Sequence, residues 1–201
     1  MKVSILIPAY RSIVTETLES VYAQTFQDFE IILIHQGGEV ASPNADISIC
    51  SDKVNRAASI AKGEYLLVLS DDDKLTPDFL EKTVKGIEGY DICYTDLKHF
   101  GEKDHVMKPE PYCTESFIRS TVPWITSLVR KSVWDELGGW SLYQDYGDWD
   151  FWYRCFKSGK TANYIPEPLF LYRLHKGQGT NNMSHLLARE KMKKAHPEII
   201  L

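Results

Sequence analysis

The sequence has no long hydrophobic run. Its apolar stretches, such as Val3–Ile7, Ile31–Ile34 and Tyr65–Leu69, are each about five residues long, whereas a membrane-spanning helix needs ~20 apolar residues. We do not expect the first stretch to be a secretory signal, because it is short, is followed by Pro8 and runs into Arg11 without a small-residue cleavage site. We therefore expect a cytoplasmic protein.

The sequence also has few cysteines and no excess of positive charge. Its four cysteines include no CxxC pair, which argues against a zinc ribbon or a thioredoxin-like site, and four free thiols fit a reducing compartment. With 23 basic and 28 acidic side chains the net charge is −5, so bulk charge does not support binding to nucleic acid. The hydrophobic content of 43% excludes wholesale disorder.

Strand and helix patterns alternate along the first half of the chain. The predicted order is strand Val3–Ile7, helix Val14–Gln24, strand Glu30–His35, helix Asn55–Lys62 and strand Tyr65–Leu69. We expect Pro8 to end the first strand and Pro77 to start a further helix. This alternation predicts one α/β domain over residues 1–201, with a mostly parallel central sheet and helices on both faces.

The second half of the chain is less regular. Its predicted elements are strands at Ile92–Lys98, Trp124–Val129, Thr161–Ile165 and Leu169–Leu174, and helices at Lys131–Leu137, Asp148–Lys157 and Ser184–His196. Residues 100–112 contain glycine, proline and charged residues, which indicates an exposed loop. Arg154 follows Asp150 by one helical turn, so we expect these two side chains to pair.

Three consecutive carboxylates, Asp71 to Asp73, follow the strand Tyr65–Leu69. In an open parallel sheet, ligands bind beyond the carboxyl ends of the strands, where this turn is expected to lie. Adjacent carboxylates repel one another, and Mg²⁺ or Mn²⁺ shared with a phosphate would neutralise them. A solvated acidic turn that caps the next helix is the alternative, and the spacing alone leaves both open.

Five short strings occur in a characteristic order: VSILIPAY, EIILIHQGG, NRAASIAKGEYLLVLSDDDKLTP, GDWDFWYR and YRLH. Together they resemble the inverting family 2 glycosyltransferases over residues 2–175. The resemblance implies a GT-A (Rossmann-like) fold and transfer of one sugar from a nucleotide-diphospho-sugar, with UDP as the expected nucleotide, to an acceptor hydroxyl. It divides the chain into a nucleotide-sugar-binding half (1–100), an acceptor and catalytic half (101–183) and a C-terminal helix (184–201).

The resemblance implies a donor site at the ends of the first strands. The residues expected to contact the nucleotide are Pro8, Ala9, Tyr10, Arg11, Gln36, Asn55 and Asp71. Asp72, the last residue of the Asp-x-Asp motif, would hold Mn²⁺ or Mg²⁺ at the donor diphosphate. His175 would ligate the metal or contact phosphate, and an ordinary core or surface histidine is its alternative.

The resemblance also assigns the catalytic base and the acceptor wall. Asp148 would deprotonate the acceptor hydroxyl; its alternative role, capping a helix, is compatible with that function. Trp124 and Trp149 would contact the acceptor, and for Trp149 packing in the core is the favoured alternative. No Gln-x-x-Arg-Trp string of processive synthases is present, so we expect transfer of a single sugar.

The chain departs from the family pattern at two places. His35-Gln36 replaces the acidic residues that accept the uracil N3–H, and Ser70 replaces the first Asp of Asp-x-Asp. These departures keep open a catalytically weakened relative that binds a nucleotide-sugar or glycan as an accessory subunit. A nucleotidyltransferase is a third alternative, disfavoured because residues 8–11 contain no glycine.

The resemblance further suggests the partners and the cellular setting. The expected acceptor is a glycan or a lipid-linked sugar in surface polysaccharide or glycan synthesis. Basic and apolar residues in 184–196 allow a peripheral contact with the inner face of the membrane, whereas a helix packed on the domain is the favoured alternative. A homo-oligomer is compatible with the sequence, and no nucleic-acid partner is expected.

Overall fold

The computed structural model describes residues 1–9, 14–35, 47–48, 51–117, 121–141, 147–175, 190 and 192–197. Its elements, in chain order, are β1 Val3–Ala9, α1 Val14–Tyr22, β2 Phe29–His35, β3 Ile47–Ser48, α2 Ser51–Ile60, β4 Tyr65–Val68, β5 Lys74–Leu75, α3 Phe79–Gly86, β6 Ile92–Gly101, β7 His105–Met107, α4 Thr114–Phe117, β8 Leu128–Arg130, α5 Lys131–Leu137, α6 Gly147–Lys157 and β9 Ala162–Leu174.

One sheet runs through the described part of the chain. Its strand order is β3-β2-β1-β4-β8-β6-β9-β5, with β7 paired to β6 outside this path. The long pairings, β1 with β2 and β6 with β9, are parallel, whereas the short pairings of β4 and β6 with β8 are antiparallel. The predicted single α/β domain with a mostly parallel sheet is therefore confirmed.

Helices cover both faces of this sheet. On one face, Val3, Ile5 and Ile7 of β1 pack in a core with residues of α1 and α3. On the other face, Leu6 and the β2 and β4 residues that point the same way pack with α2, α5 and α6. Because successive strand side chains point to opposite faces, one fully apolar strand serves both cores. The predicted helices on both faces are confirmed.

The prediction that Pro8 ends the first strand is wrong. β1 continues to Ala9, with Pro8 paired to Ile34 of β2 and Ala9 to His35. The pairing of β1 with β4 on its other side stops at Leu6. The Leu6 carbonyl accepts from Leu69 on the β4 side, and Pro8, two residues on, faces the same side. Because β4 no longer pairs there, the missing N–H of Pro8 costs no ladder bond.

The expected loop over residues 100–112 contains a strand. β7 folds back on β6, with His99 opposite His105 and Leu97 opposite Met107. The strands expected at Thr161–Ile165 and Leu169–Leu174 form the single strand β9, whose register against β6 shifts on either side of Asp96. That shift accommodates the proline-containing segment that sequence patterns read as a break.

Some element ends also differ from expectation. α2 begins at Ser51 rather than at Asn55, and α3 begins at Phe79 after its cap Asp78, not at Pro77. The strand expected over Trp124–Val129 is limited to Leu128–Arg130. Most of the terminal helix expected over 184–196 lies outside the described residues. Within that range, residues 190 and 192–195 are described and are helical.

Two further expectations concern thiols and membrane spans. Cys93, Cys113 and Cys155 are free thiols as expected, and Cys50 lies outside the described residues. Within the described ranges, no helix combines the length and apolar character needed to cross a bilayer.

Candidate active site

The acidic turn lies at the carboxyl edge of the parallel strands β1, β2 and β4. It follows β4 directly and is closed by a hydrogen bond from the Asp73 N–H to the Ser70 carbonyl (3.2 Å). The Thr17 hydroxyl of α1 lies 2.9 Å from the Asp71 carbonyl oxygen and 2.8 Å from that of Asp73. A buried helix side chain thus holds the backbone of the turn at the position where open α/β sheets bind ligands.

The three carboxylates of this turn have different surroundings. Asp73 is fully buried; its Oδ1 accepts a 2.9 Å hydrogen bond from the Arg173 N–H, and its Oδ2 has no hydrogen-bond partner among the described atoms. Burial, with a further contribution from the charge of Asp72, holds the pKa of Asp73 well above its ordinary value. The raised pKa favours the neutral form of Asp73 more than in an ordinary aspartate, which lessens the repulsion among the three carboxylates.

The Asp72 carboxylate lies beside a histidine, which is a second type of metal-binding side chain. Its Oδ2 lies 3.0 Å from Nε2 of His175, just beyond the end of β9, and both side chains are partly accessible. No cluster of three or more His, Cys, Asp or Glu side chains with metal-site geometry occurs in the described part of the chain. The Asp72 carboxylate nevertheless fits Mn²⁺ or Mg²⁺, which take one or two protein ligands and complete their shell with water and phosphate oxygens, whereas the softer His175 imidazole suits Mn²⁺ better than Mg²⁺.

A cluster of ion pairs joins the end of β9 to the acidic turn. The Arg173 guanidinium donates to the Asp72 carbonyl (2.9 Å) and to the Glu16 carboxylate (2.9 Å), and it lies 4.4 Å from the centre of the Phe100 ring. Lys74 also pairs with Glu16 (2.7 Å). Arg173 belongs to the string YRLH, but the pattern predicts no role for it, because its closeness to His175 is the only signal in the sequence.

Asp148 lies in the first turn of α6 and is partly accessible to solvent. Burial in its surroundings raises the pKa of Asp148 to about 6, although the backbone N–H groups of Trp149 and of Asp148 itself donate to the carboxylate and oppose this rise. A carboxylate with a pKa near neutral can accept a proton and is still largely ionised at pH 7. Because α6 begins at Gly147, Asp148 lies within the first turn and not at the N-cap, and its carboxylate accepts from N–H groups that this turn leaves free.

Asn55 is expected to contact the nucleotide, and this contact stays a prediction; in the structure the Asn55 side chain bonds to backbone that follows α5. The Asn55 amide accepts a hydrogen bond from the Trp140 N–H (2.9 Å) and donates one to the Trp140 carbonyl (2.7 Å). Both polar atoms of the amide are therefore engaged, and a nucleotide would have to compete with them. The geometry favours a positioning role for Asn55, which ties α2 to the backbone that follows α5.

A second anchor holds the same backbone to α6. The expected pair of Arg154 and Asp150 is confirmed at 2.8 Å, and Arg154 also donates to the carbonyls of Leu137 (2.6 Å) and Gly139 (2.5 Å). The other Asp150 oxygen lies 2.7 Å from Nε2 of His196. Burial raises the pKa of Asp150, but the hydrogen bond from His196 and the charge of Arg154 outweigh it and leave the pKa below its ordinary value.

The two tryptophans assigned to the acceptor differ in exposure. Trp149 is only 2% exposed, and its indole N–H donates to the Phe117 carbonyl (3.0 Å). Its ring packs in the core formed with α6, as the favoured alternative has it, and an acceptor contact at Trp149 stays a prediction. Trp124 is partly accessible, and its buried indole nitrogen has no partner among the described atoms. An acceptor contact at Trp124 stays a prediction.

Only part of the expected nucleotide wall can be located. Pro8 and Ala9 form the last two residues of β1 and are buried beside β2. Asp71 is buried in the acidic turn. Tyr10, Arg11 and Gln36 lie outside the described residues, so their contacts with a nucleotide stay predictions.

Comparison with protein-family models matches residues 50–151 to glycosyl transferase family 2. The matched segment is about half of the chain and includes the acidic turn and Asp148. The chain belongs to glycosyl transferase family 2.

Relatives of this family 2 chain extend the match to almost its full length. It is 28% identical over 218 residues to the uncharacterized glycosyltransferase YwdF of Bacillus subtilis (strain 168), covering 95% of this chain and 81% of that protein. It is 25% identical to the uncharacterized glycosyltransferase RP339 of Rickettsia prowazekii (strain Madrid E), covering 89% of this chain and 66% of the relative. The chain is thus shorter than both relatives.

Solved structures share the fold of this family 2 chain. The S. aureus TarS 1-349 complex with UDP-GlcNAc superposes with a TM-score of 0.75 at 16% identity, over 90% of this chain and 61% of that one. The mannosyltransferase PcManGT of Pyrobaculum calidifontis, in complex with GDP-Man and Mn²⁺, gives 0.68 at 13% identity, over 88% and 58%. At these identities the likeness concerns the fold alone, and it confirms the predicted GT-A fold.

Proposed function

We propose that this chain is a metal-dependent, inverting glycosyltransferase that moves one sugar from a nucleotide-diphospho-sugar, with UDP as the expected nucleotide, to an acceptor hydroxyl. The observation that carries the proposal is the contrast between two carboxylates. Asp72 lies against His175 at the carboxyl edge of the sheet, whereas Asp148 lies in the first turn of α6 and has its pKa raised to about 6. Two carboxylates with different environments suit two different roles in one reaction.

Each of these side chains has a defined task in the proposed reaction. Asp148 accepts the proton of the acceptor hydroxyl while that oxygen attacks the anomeric carbon on the side opposite the leaving group, and a single displacement inverts the configuration there. Asp72 and His175 would hold the divalent cation, which, when bound, offsets the charge that develops on the departing nucleoside diphosphate. Arg173 ties the end of β9 to the acidic turn through the Asp72 carbonyl and to α1 through Glu16.

The ligands of the structural neighbours support a nucleotide-sugar donor. TarS was solved with UDP-GlcNAc and the mannosyltransferase with GDP-Man and Mn²⁺. We extend this to a glycan or lipid-linked acceptor in surface polysaccharide or glycan synthesis, in the cytoplasm or at the inner face of the membrane. These last assignments rest on the family resemblance.

Thermal unfolding with nucleotides tests the donor site. The chain is heated with UDP, dTDP, GDP or CDP, each with Mn²⁺ or with a chelator. One nucleotide at 100 times its Kd adds ~2.7 kcal/mol to the free energy of unfolding, which raises the Tm of a domain of this size by roughly 5–10 °C. We expect this shift for UDP, and only when Mn²⁺ is present.

Variants separate the metal site from general effects on stability. Asp72→Ala and His175→Ala should each remove the Mn²⁺-dependent part of the shift, whereas Glu88→Ala, which changes an exposed carboxylate, should keep it. A UDP shift of equal size in chelator would contradict the metal role. A Mn²⁺-dependent shift without release of UDP from any UDP-sugar would favour the accessory-subunit alternative.

A further inference from the structure

Asp96 is a buried carboxylate to which the proposed reaction assigns no task. It is only 3% exposed and lies in the middle of β6, where the register against β9 shifts on both sides of it. The extra residues of this irregularity lie in β9, so it interrupts the regular ladder beside Asp96 while β6 keeps its own alternation. Such irregularities recur next to functional sites, so the surroundings of this carboxylate are informative.

Asp96 has unusually few partners for a buried charged group. Its Oδ1 accepts a hydrogen bond from the Tyr164 hydroxyl, and no ion pair reaches it from the described ranges of the chain. Burying a carboxylate costs several kcal/mol unless charges and hydrogen bonds compensate. A single phenolic hydroxyl leaves much of its capacity to accept hydrogen bonds unused.

An aromatic platform lies beside this carboxylate. The rings of Tyr94 and Tyr164 stack with centres 5.3 Å apart and an angle of 26° between their planes. Tyr94 is buried beneath, whereas Tyr164 is partly accessible. An accessible ring next to a hydrogen-bond acceptor offers an apolar face to the C–H side of a sugar ring and a polar group to its hydroxyls.

The carboxylate faces the side of the sheet that carries α6. Ile92 of β6 belongs to the core formed with α6, whereas Cys93 and Leu97 belong to the core formed with α1 and α3. Because strand side chains alternate between faces, Tyr94 and Asp96 point to the side of Ile92. Asp96 and the proposed base Asp148 therefore lie on the same side of the sheet.

We propose that Asp96 and Tyr164 form an acceptor subsite for an uncharged sugar ring. The inference rests on the proposed glycosyltransferase function and names the class of its acceptor. The lone pairs of the Asp96 carboxylate that Tyr164 leaves unused accept hydrogen bonds from one or two hydroxyls of the sugar, while the Tyr164 ring packs against the carbons of the sugar ring. The same negative charge disfavours an acceptor that carries a carboxylate or a phosphate at this position.

Binding of simple glycosides tests this subsite without knowledge of the natural acceptor. Ligand-observed NMR is recorded on the whole chain with saturating UDP and Mg²⁺, using methyl glycosides of glucose, galactose, mannose and N-acetylglucosamine. Methyl glucuronide serves as the anionic counterpart of methyl glucoside. We expect at least one neutral glycoside to bind, and we expect methyl glucuronide to bind at least about tenfold more weakly than methyl glucoside.

Two variants assign the binding to the named side chains. Asp96→Asn keeps the shape and an oxygen for the Tyr164 hydroxyl but loses the charge, so we expect about tenfold weaker binding of the neutral glycoside and a smaller preference over the glucuronide. Tyr164→Ala removes the partly accessible ring and should also weaken binding about tenfold. The control Asp104→Asn changes the same charge at a side chain that is 74% exposed and should bind like the unmodified chain.

The donor site provides the comparison that separates the two proposals. Asp96→Asn should keep the Mn²⁺-dependent Tm shift with UDP, which also shows that the variant is folded. If that shift is present and no neutral glycoside binds, or if Asp96→Asn and Tyr164→Ala bind as the unmodified chain does, the acceptor subsite is wrong and the donor function stands. If the unmodified chain shows no shift with any nucleotide, the proposed function itself fails.

Discussion

Replacing Asp148 by Asn should stabilise the protein and abolish its activity. The folded protein raises the pKa of this carboxyl from 3.8 to about 6, so it binds the proton more tightly than the unfolded chain does. The free energy of unfolding therefore falls as pH rises from about 4 to about 6. Above that range Asp148 is ionised, and its charge destabilises the folded protein. An amide has no such penalty, and it can still accept a bond from the N–H groups at the start of α6.

The size of this effect follows from the pKa difference. The change from 3.8 to about 6 corresponds to about 3 kcal/mol at most, and partial access to solvent reduces it, so we expect about 1–3 kcal/mol. For a domain of this size that raises the Tm of Asp148→Asn over the unmodified chain by roughly 3–9 °C at pH 8. At pH 4 the two proteins should unfold at nearly the same temperature.

The assay is calorimetry of both proteins from pH 4 to pH 8, with Asp28→Asn as the control because this side chain is 61% exposed. The control should change the Tm at pH 8 by no more than about 2 °C, because substitutions at exposed positions usually change stability by at most about 0.5 kcal/mol. Transfer activity of Asp148→Asn should fall by about 10²–10⁴, while its UDP-induced Tm shift is kept. A Tm difference that stays constant over this pH range, or a less stable variant at pH 8, would refute the assigned environment of Asp148.

Two further predictions concern the anchors of α6. A Cβ at Gly139 would overlap the Asn55 Oδ1 atom and lie 2.5 Å from the Trp134 indole nitrogen. Gly138 also has a positive φ but has open space around it, so Gly139→Ala should reduce the free energy of unfolding by about 1–3 kcal/mol more than Gly138→Ala in chemical denaturation. Equal reductions would contradict this close approach. Asp150→Asn should leave Arg154 and His196 without their buried acid and cost about 2–4 kcal/mol at pH 7. Asp135→Asn, which breaks the exposed pair with Lys131 at the same helical spacing, should cost less than about 1 kcal/mol, and similar Tm losses in both variants would argue against a buried charge pair.

Local sequence signals predicted the elements that depend on local chemistry. Tyr65–Leu69 is a continuous apolar run and forms the buried strand β4. The helix Lys131–Leu137 was predicted with its observed ends, because Gly138 adopts the left-handed conformation (φ 74°) that terminates it. The order of the family strings also predicted the fold class, since each string marks the end of a strand or the start of a helix in a fixed topology.

Features that depend on distant partners were not predictable in this way. The bonds of the Asn55 amide to Trp140 were not predicted, because Trp140 comes from a distant part of the chain. The charge balance in the acidic turn depends on how deeply Asp73 is buried, which no run of aspartates reveals. β7 was missed because its pairing with β6, rather than its composition, makes it a strand.

The position of β8 has a consequence for folding during synthesis. β4 pairs with β1 on one side, but its other side is occupied by β8, which lies far later in the chain, with Tyr65 opposite Arg130. As the chain leaves the ribosome, β1, β2 and β4 can assemble first and then present an unpaired, fully apolar strand edge until residues 128–130 emerge. This interval is when the nascent chain is most prone to association with other chains, and the late closure of β8 onto β4 raises the contact order and slows folding.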